Sequence, residues 1–129
     1  MTTNIVVSRI TLFSENMDKV AEFYKAIGLN LEKSGSWGGN YNYLDIIKHD
    51  KQNIIFEIFP LWSKTITSMQ GLGFDVVNVP QVLQKLIEIG APVLRPSNPK
   101  IHARCILASV KDPDGRVVTI TQHGKAEPV

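Results

Sequence analysis

The sequence predicts an α+β fold built from two modules of one kind, and three observations carry that expectation. Strand, helix and further strands recur in the same order in the two halves of the chain. The helix-ending glycines Gly28 and Gly90 stand 62 residues apart. Shifting the chain by 62 lays Val20 on Val82, Ile27 on Ile89, Leu44 on Ile106, Phe56 on Val118 and Ile58 on Ile120, so apolar positions fall on apolar positions. Identity between the halves is low, so the repeat is architectural and not a recent duplication.

The elements follow in order. Ile5 to Phe13 alternates as a strand, and a helix begins at Asn16, with Met17, Val20, Ala21, Phe23, Tyr24 and Ile27 forming its apolar stripe and Gly28 ending it. A glycine-rich loop, GSWGGN, precedes strands at Tyr41 to Ile47 and Asn53 to Phe59, which the turn HDKQ separates. Gly73 to Val77 then reads as a strand, Val79 to Ile89 as a helix, and Arg104 to Val110 and Val117 to Thr121 as strands. In DPDG, Pro113 suits the second position of a type I turn and Gly115 the positive φ that follows. Four strands in each half make a small curved sheet with the helix across its convex face, and the concave faces form a cup.

Composition narrows the function classes. At 129 residues and 43% hydrophobic, the chain suits a single domain with a real core, with module one at about 5–62 and module two at about 70–123. The net charge of +2 comes from 14 basic and 12 acidic side chains with no basic block, which points away from nucleic acid and membrane surfaces. No apolar run approaches the roughly 20 residues of a membrane span, and MTTNIVV lacks the pattern of a signal peptide, so a cytoplasmic protein is expected. The single cysteine, Cys105, leaves no internal disulfide and reads as a packed thiol.

Residue parity assigns the lining of the cup. With Ile10 and Leu12 beneath the helix, Val7, Arg9 and Thr11 take the opposite face; Phe56 and Ile58 beneath it leave Ile55, Glu57 and Phe59 in the cup. Leu44 and Ile46 are assigned to the helix side and Tyr43 and Asp45 to the cup, and Thr119 and Thr121 also face it. The 62-residue shift then relates Arg9 to Gly71 and Glu57 to Thr119.

Several segments carry a family resemblance. SRITLFSENMDKVAEFYKAIGLNLE, NIIFEIF, GFDVVNVPQVLQKLIEIGAPVL and DPDGRVVTITQ resemble, in that order, the segments of the vicinal oxygen chelate superfamily of glyoxalase I, bleomycin-resistance proteins and extradiol dioxygenases. The resemblance covers about 5–122. It implies two βαβββ modules forming a U-shaped cup, and very often a homodimer. It also implies that the positions matched by Arg9, Glu57, Gly71 and Thr119 are those at which metal-dependent members carry histidine or glutamate ligands.

This chain departs from that pattern. A catalytic divalent metal needs about three imidazole, carboxylate or thiolate ligands, whereas arginine has no lone pair to give, glycine has no side chain and threonine is a poor ligand. Only Glu57 remains, beside a permanent cation that repels a metal. No metal and no cofactor are therefore expected. His49 and His123 read as exposed, and His102 as a rim or loop histidine.

Two readings of Arg9 and Glu57 stay open together: a salt bridge between neighbouring strands, and a donor fork with an acceptor suited to a small polar or anionic ligand. Trp37 and Tyr43 join Arg9, Glu57 and Thr119 as candidate ligand-binding residues, Trp37 in a loop able to close over a ligand. Tyr41 and Trp62 add aromatic surface. The leading expectation is a metal-free small-molecule-binding protein. A lactoylglutathione lyase-like enzyme or dioxygenase with an aberrant metal site, and a dimeric interaction module without ligand, are the alternatives.

Overall fold

Helices and strands alternate in this chain with the order β-α-β-β-β, twice. The computed structural model describes residues 7–37, 40–61, 71–96 and 105–123. The first module holds β1 (Arg9–Ser14), α1 (Met17–Ile27), β2 (Glu32–Trp37), β3 (Asn40–His49) and β4 (Gln52–Pro60). The second holds β5 (Gly71–Asp75), α2 (Val79–Glu88), β6 (Val93–Arg95), β7 (Cys105–Lys111) and β8 (Val117–His123). Each has one four-stranded sheet, ordered β1-β4-β3-β2 and β5-β8-β7-β6. The chain divides into compact units at Met1–Ser68 and Met69–Val129. No helix among the described residues is long and apolar enough to cross a membrane.

The core of each unit is the layer between its helix and its sheet. In α1, Val20, Phe23 and Tyr24 recur at three- and four-residue spacing and are buried against Leu12, Phe56 and Ile58. Tyr24 packs its ring 5.2 Å from that of Phe56 and 4.9 Å from that of Phe23. Each such fully buried large side chain contributes about 1.5–3 kcal/mol of hydrophobic stabilisation. In α2, Val79, Val82, Leu83 and Leu86 play the same part over Ala108, Val110, Val118 and Ile120. Asn78 caps α2 by accepting from the Gln81 amide at 3.0 Å, and Gly28, at φ 135°, lets α1 stop.

The 62-residue repeat holds across the parallel pairs. Arg9 pairs with Ile55 and Gly71 with Val117; Thr11 pairs with Glu57 and Gly73 with Thr119. It fails for the third strand of each module. Ile58 is opposite Tyr43, but its counterpart Ile120 is opposite Ala108, so β7 stands 65 residues from β3 while β8 stands 62 from β4. An odd difference of three inverts side-chain parity.

That inversion corrects the assignment of β3. Tyr43 and Asp45 lie opposite Ile58 and Phe56 and share their helix-side face, while Leu44 and Ile46 share the face of Glu57 and Ile55. Three further expectations change. Of the segment read as a glycine-rich loop, Gly35 to Trp37 belong to strand β2 and Asn40 opens β3; the register of β2 with β3 shifts between Ser34 and Trp37, and Gly35 takes φ 80°. Edge strand β6, three exposed residues long, has no alternating pattern to announce it. Strand β5 begins at Gly71, not Gly73, and ends before Val77, which is 93% exposed in the approach to α2.

Candidate functional site

The face of the first sheet turned away from α1 is an ordered grid. One row across β1, β4 and β3 is Arg9, Ile55 and Ile46; the next is Thr11, Glu57 and Leu44. In the third, Phe13 pairs with Phe59, and Asn42, two residues before Leu44, continues it. The grid follows from period-two alternation once the parallel register of β1 and β4 is set.

Glu57 is the centre of this face. Its side chain is 7% exposed, and its Oε2 accepts from Arg9 Nη1 and from Thr11 Oγ1, each at 2.7 Å. Arg9 reaches it diagonally from the neighbouring row, and Thr11 stands directly beside it. A buried carboxylate without partners is costly, and two donors, one charged, satisfy this one. The Arg9 side chain is 54% exposed, so the guanidinium bridges the buried acid and the surface.

The second module carries a milder version of the same position. Thr119 Oγ1 and Ser109 Oγ lie 3.0 Å apart as a directly opposed pair on β8 and β7. Gly71 and Gly73 leave the start of that face of β5 without side chains, and Asp75 ends it. On this sheet His123 Nε2 lies 3.2 Å from Asp75 Oδ1, both exposed.

Tyr43 belongs to a different cluster, on the helix side. Its hydroxyl donates to Asp18 Oδ1 at 2.6 Å, and the Tyr41 hydroxyl donates to the same oxygen at 2.9 Å. The hydrogen bonds from Tyr43 and Tyr41 hold the Asp18 carboxyl below its ordinary range. Burial, then the bond to Asp18, pushes the Tyr43 phenol up, and the bond to Asp18 does the same for Tyr41. Lys33 Nζ stands 4.5 Å from the centre of the Tyr41 ring and Lys25 Nζ 5.6 Å from that of Tyr43. The cluster ties the first turn of α1 to β3. Tyr43 is therefore not on the face of Arg9 and Glu57.

Of the other candidates, Trp37 is placed only as the strand residue opposite Asn40. The side chains of Trp37 and His49, and all of Trp62 and His102, lie outside the described residues. Sequence reasoning missed Thr11 as a partner of Glu57, although its parity was right. It also missed the buried ion pair of the DPDGR hairpin, in which Arg116 Nη1 donates to Asp112 Oδ2 at 2.9 Å and to Asp114 Oδ2 at 3.2 Å. An arginine and an aspartate four apart around a tight turn were the available signal.

The residues at these four related positions, Arg9, Glu57, Gly71 and Thr119, do not fit a divalent metal. Of the four, only Glu57 has a donor type suited to it, and one oxygen of that carboxylate already takes two hydrogen bonds. Among the described residues no three His, Cys, Asp or Glu side chains converge.

No family model and no curated protein matches the sequence. Solved structures do match. A glyoxalase/bleomycin resistance protein/dioxygenase family enzyme from Burkholderia phytofirmans PsJN is 17% identical, with a TM-score of 0.65 over 90% of this chain and 97% of that one. The fosfomycin resistance protein FosX from Listeria monocytogenes, in a mutant form complexed with Mn(II) and a dihydroxypropylphosphonic acid, is 17% identical with a TM-score of 0.64 over 98% and 94%. A glyoxalase I mutant from Zea mays is 18% identical with a TM-score of 0.68 over 89% of this chain and 46% of its own. With two βαβββ modules in sequence and these neighbours, the chain has the vicinal oxygen chelate fold.

Proposed function

We propose that the protein binds a small polar or anionic molecule without a metal, at the face of the first sheet that carries Arg9 and Glu57. The observation that carries this reading is the double hydrogen bond at Glu57 Oε2. Where a metal-dependent relative would need several ligands, this chain has one carboxylate engaged by a guanidinium and a hydroxyl. The half-exposed guanidinium retains donors beyond Nη1 for a ligand oxygen. FosX, a neighbour in fold, was obtained with a phosphonic acid and Mn(II). That supports a small organic anion here, with arginine supplying the positive charge. Trp37 remains part of the proposed binding set on the first sheet, and the Thr119 and Ser109 hydroxyl pair is a separate proposed ligand-binding position on the second. Tyr43 acts indirectly, by holding α1 to β3.

The test combines metal analysis and ligand titration on the intact chain. Purified protein should carry well under one equivalent of zinc, nickel, iron or manganese, a chelator should leave Tm unchanged, and organic anions should bind wild type but not Arg9→Gln. Stoichiometric metal that is lost with Glu57→Ala would instead establish the enzyme reading. The family resemblance also supports a homodimer, which light scattering would read as twice the chain mass.

A further inference from the structure

The Arg9 row separates one class of anion from the others. Arg9, Ile55 and Ile46 lie side by side across three strands, a span of about 10 Å at about 4.8 Å per strand. Both ends of the row are open, with the Arg9 side chain 54% exposed and Ile46 48% exposed. Resting on the small-molecule reading above, we propose that the ligand is an amphipathic monoanion: a carboxylate bound by Arg9, with an apolar body of about 10 Å lying over Ile55 and Ile46.

Three features give that description. The charge count limits the head group, because Glu57 balances one charge of Arg9 and a second ligand charge would lie within about two strand spacings of a buried carboxylate. The donor count permits the head group, because Glu57 engages Nη1 and a guanidinium has five N–H groups. The neighbouring row sets the direction of the body. Toward Phe13 it would cover Thr11 and Glu57, and beyond Leu44 it would meet Asn42, a polar side chain only 7% exposed. Along the row from Arg9 to Ile46 it meets only apolar groups, one of them an isoleucine that water otherwise covers. Burying that surface on a ligand is favourable in proportion to the area removed.

The test is calorimetric titration of the intact protein with acetate, butanoate, hexanoate and octanoate, with octanol as the uncharged analogue and suberate as the dianion. Affinity should rise about two- to fourfold for each added methylene. Octanol and suberate should each bind at least about tenfold more weakly than octanoate, since each lacks or opposes the single charge. Arg9→Gln should erase the preference for octanoate over octanol. Ile46→Ser, a change at an exposed position, should flatten the dependence on chain length. Short anions or phosphonates that bind in an Arg9-dependent way with no gain from chain length would overturn the amphipathic ligand and leave the proposed function standing. Tighter binding of suberate than octanoate, or an unchanged slope in Ile46→Ser, would overturn it as well. Failure of every anion, short or long, would overturn both.

Discussion

Coupling between Arg9 and Glu57 is the quantity on which the site description depends, and a double-mutant cycle measures it. Arg9→Met keeps most of the aliphatic stem and removes the charged donor, leaving Glu57, 7% exposed, with Thr11 alone. Glu57→Gln keeps an acceptor for one of the two donors and leaves Arg9, already half in water, little worse off. A hydrogen bond to a charged group contributes about 1.5–3 kcal/mol, and a fully exposed ion pair about 0.2–1 kcal/mol. This pair has one buried and one half-exposed partner, so we expect about 1–2 kcal/mol of coupling. Arg9→Met alone should cost about 1.5–2 kcal/mol and Glu57→Gln about 0.5–1 kcal/mol, an asymmetry that follows from which partner is stranded. Urea unfolding of the wild type, both single variants and the double variant supplies the four free energies, with matching m-values checking that the transitions are comparable. A coupling within about 0.5 kcal/mol of zero, the usual error of additivity, would refute the account of Glu57 as an acid held by its arginine.

The hairpin ion pair should matter more than its surface neighbour: Asp112→Ala takes one carboxylate partner from the buried Arg116 and removes the acceptor for the Asp114 and Arg116 amides, and should cost about 3–5 kcal/mol, whereas Asp114→Ala, at a side chain 26% exposed, should cost under about 1 kcal/mol by thermal unfolding. Gly115 sits at φ 90°, so Gly115→Ala should cost about 1 kcal/mol through backbone strain alone. Alkaline titration tests the Asp18 cluster. Both phenols have folded pKa values above their ordinary 10.0, so their contribution is complete below that pH and is lost as pH rises through the folded values, while the Asp18 contribution is present above 3.8 and is lost as pH falls through its lowered folded value. Asp18→Asn should therefore let phenolate absorbance appear at lower pH, and an unshifted titration would contradict the double hydrogen bond.

Much of the fold was legible because its signals are local. Helical stripes ended by Gly28 and Gly90 announced α1 and α2, and period-two alternation in NIIFEIF and VVTITQ announced β4 and β8. Arg9 and Glu57 were legible as a pair because β1 and β4 each keep one clean apolar face. β3 was not, since Tyr41, Tyr43, Asp45 and Ile47 on one face and Asn42, Leu44, Ile46 and Lys48 on the other mix polar and apolar residues equally. Edge strands β2 and β6 gave little warning, because an edge needs no buried face to be held by its neighbour.

By itself, then, the sequence determined two helices, the strands that bury a full apolar face and the 62-residue relation of the parallel pairs. Only the tertiary structure decided which way β3 faces, and with it that Tyr43 serves Asp18 while Leu44 and Ile46 border Glu57. The reason is that side-chain direction in a strand depends on register with its partner. A difference of three residues between the β3–β4 and β7–β8 hairpins, invisible in a pattern that repeats every 62, turns one whole strand over.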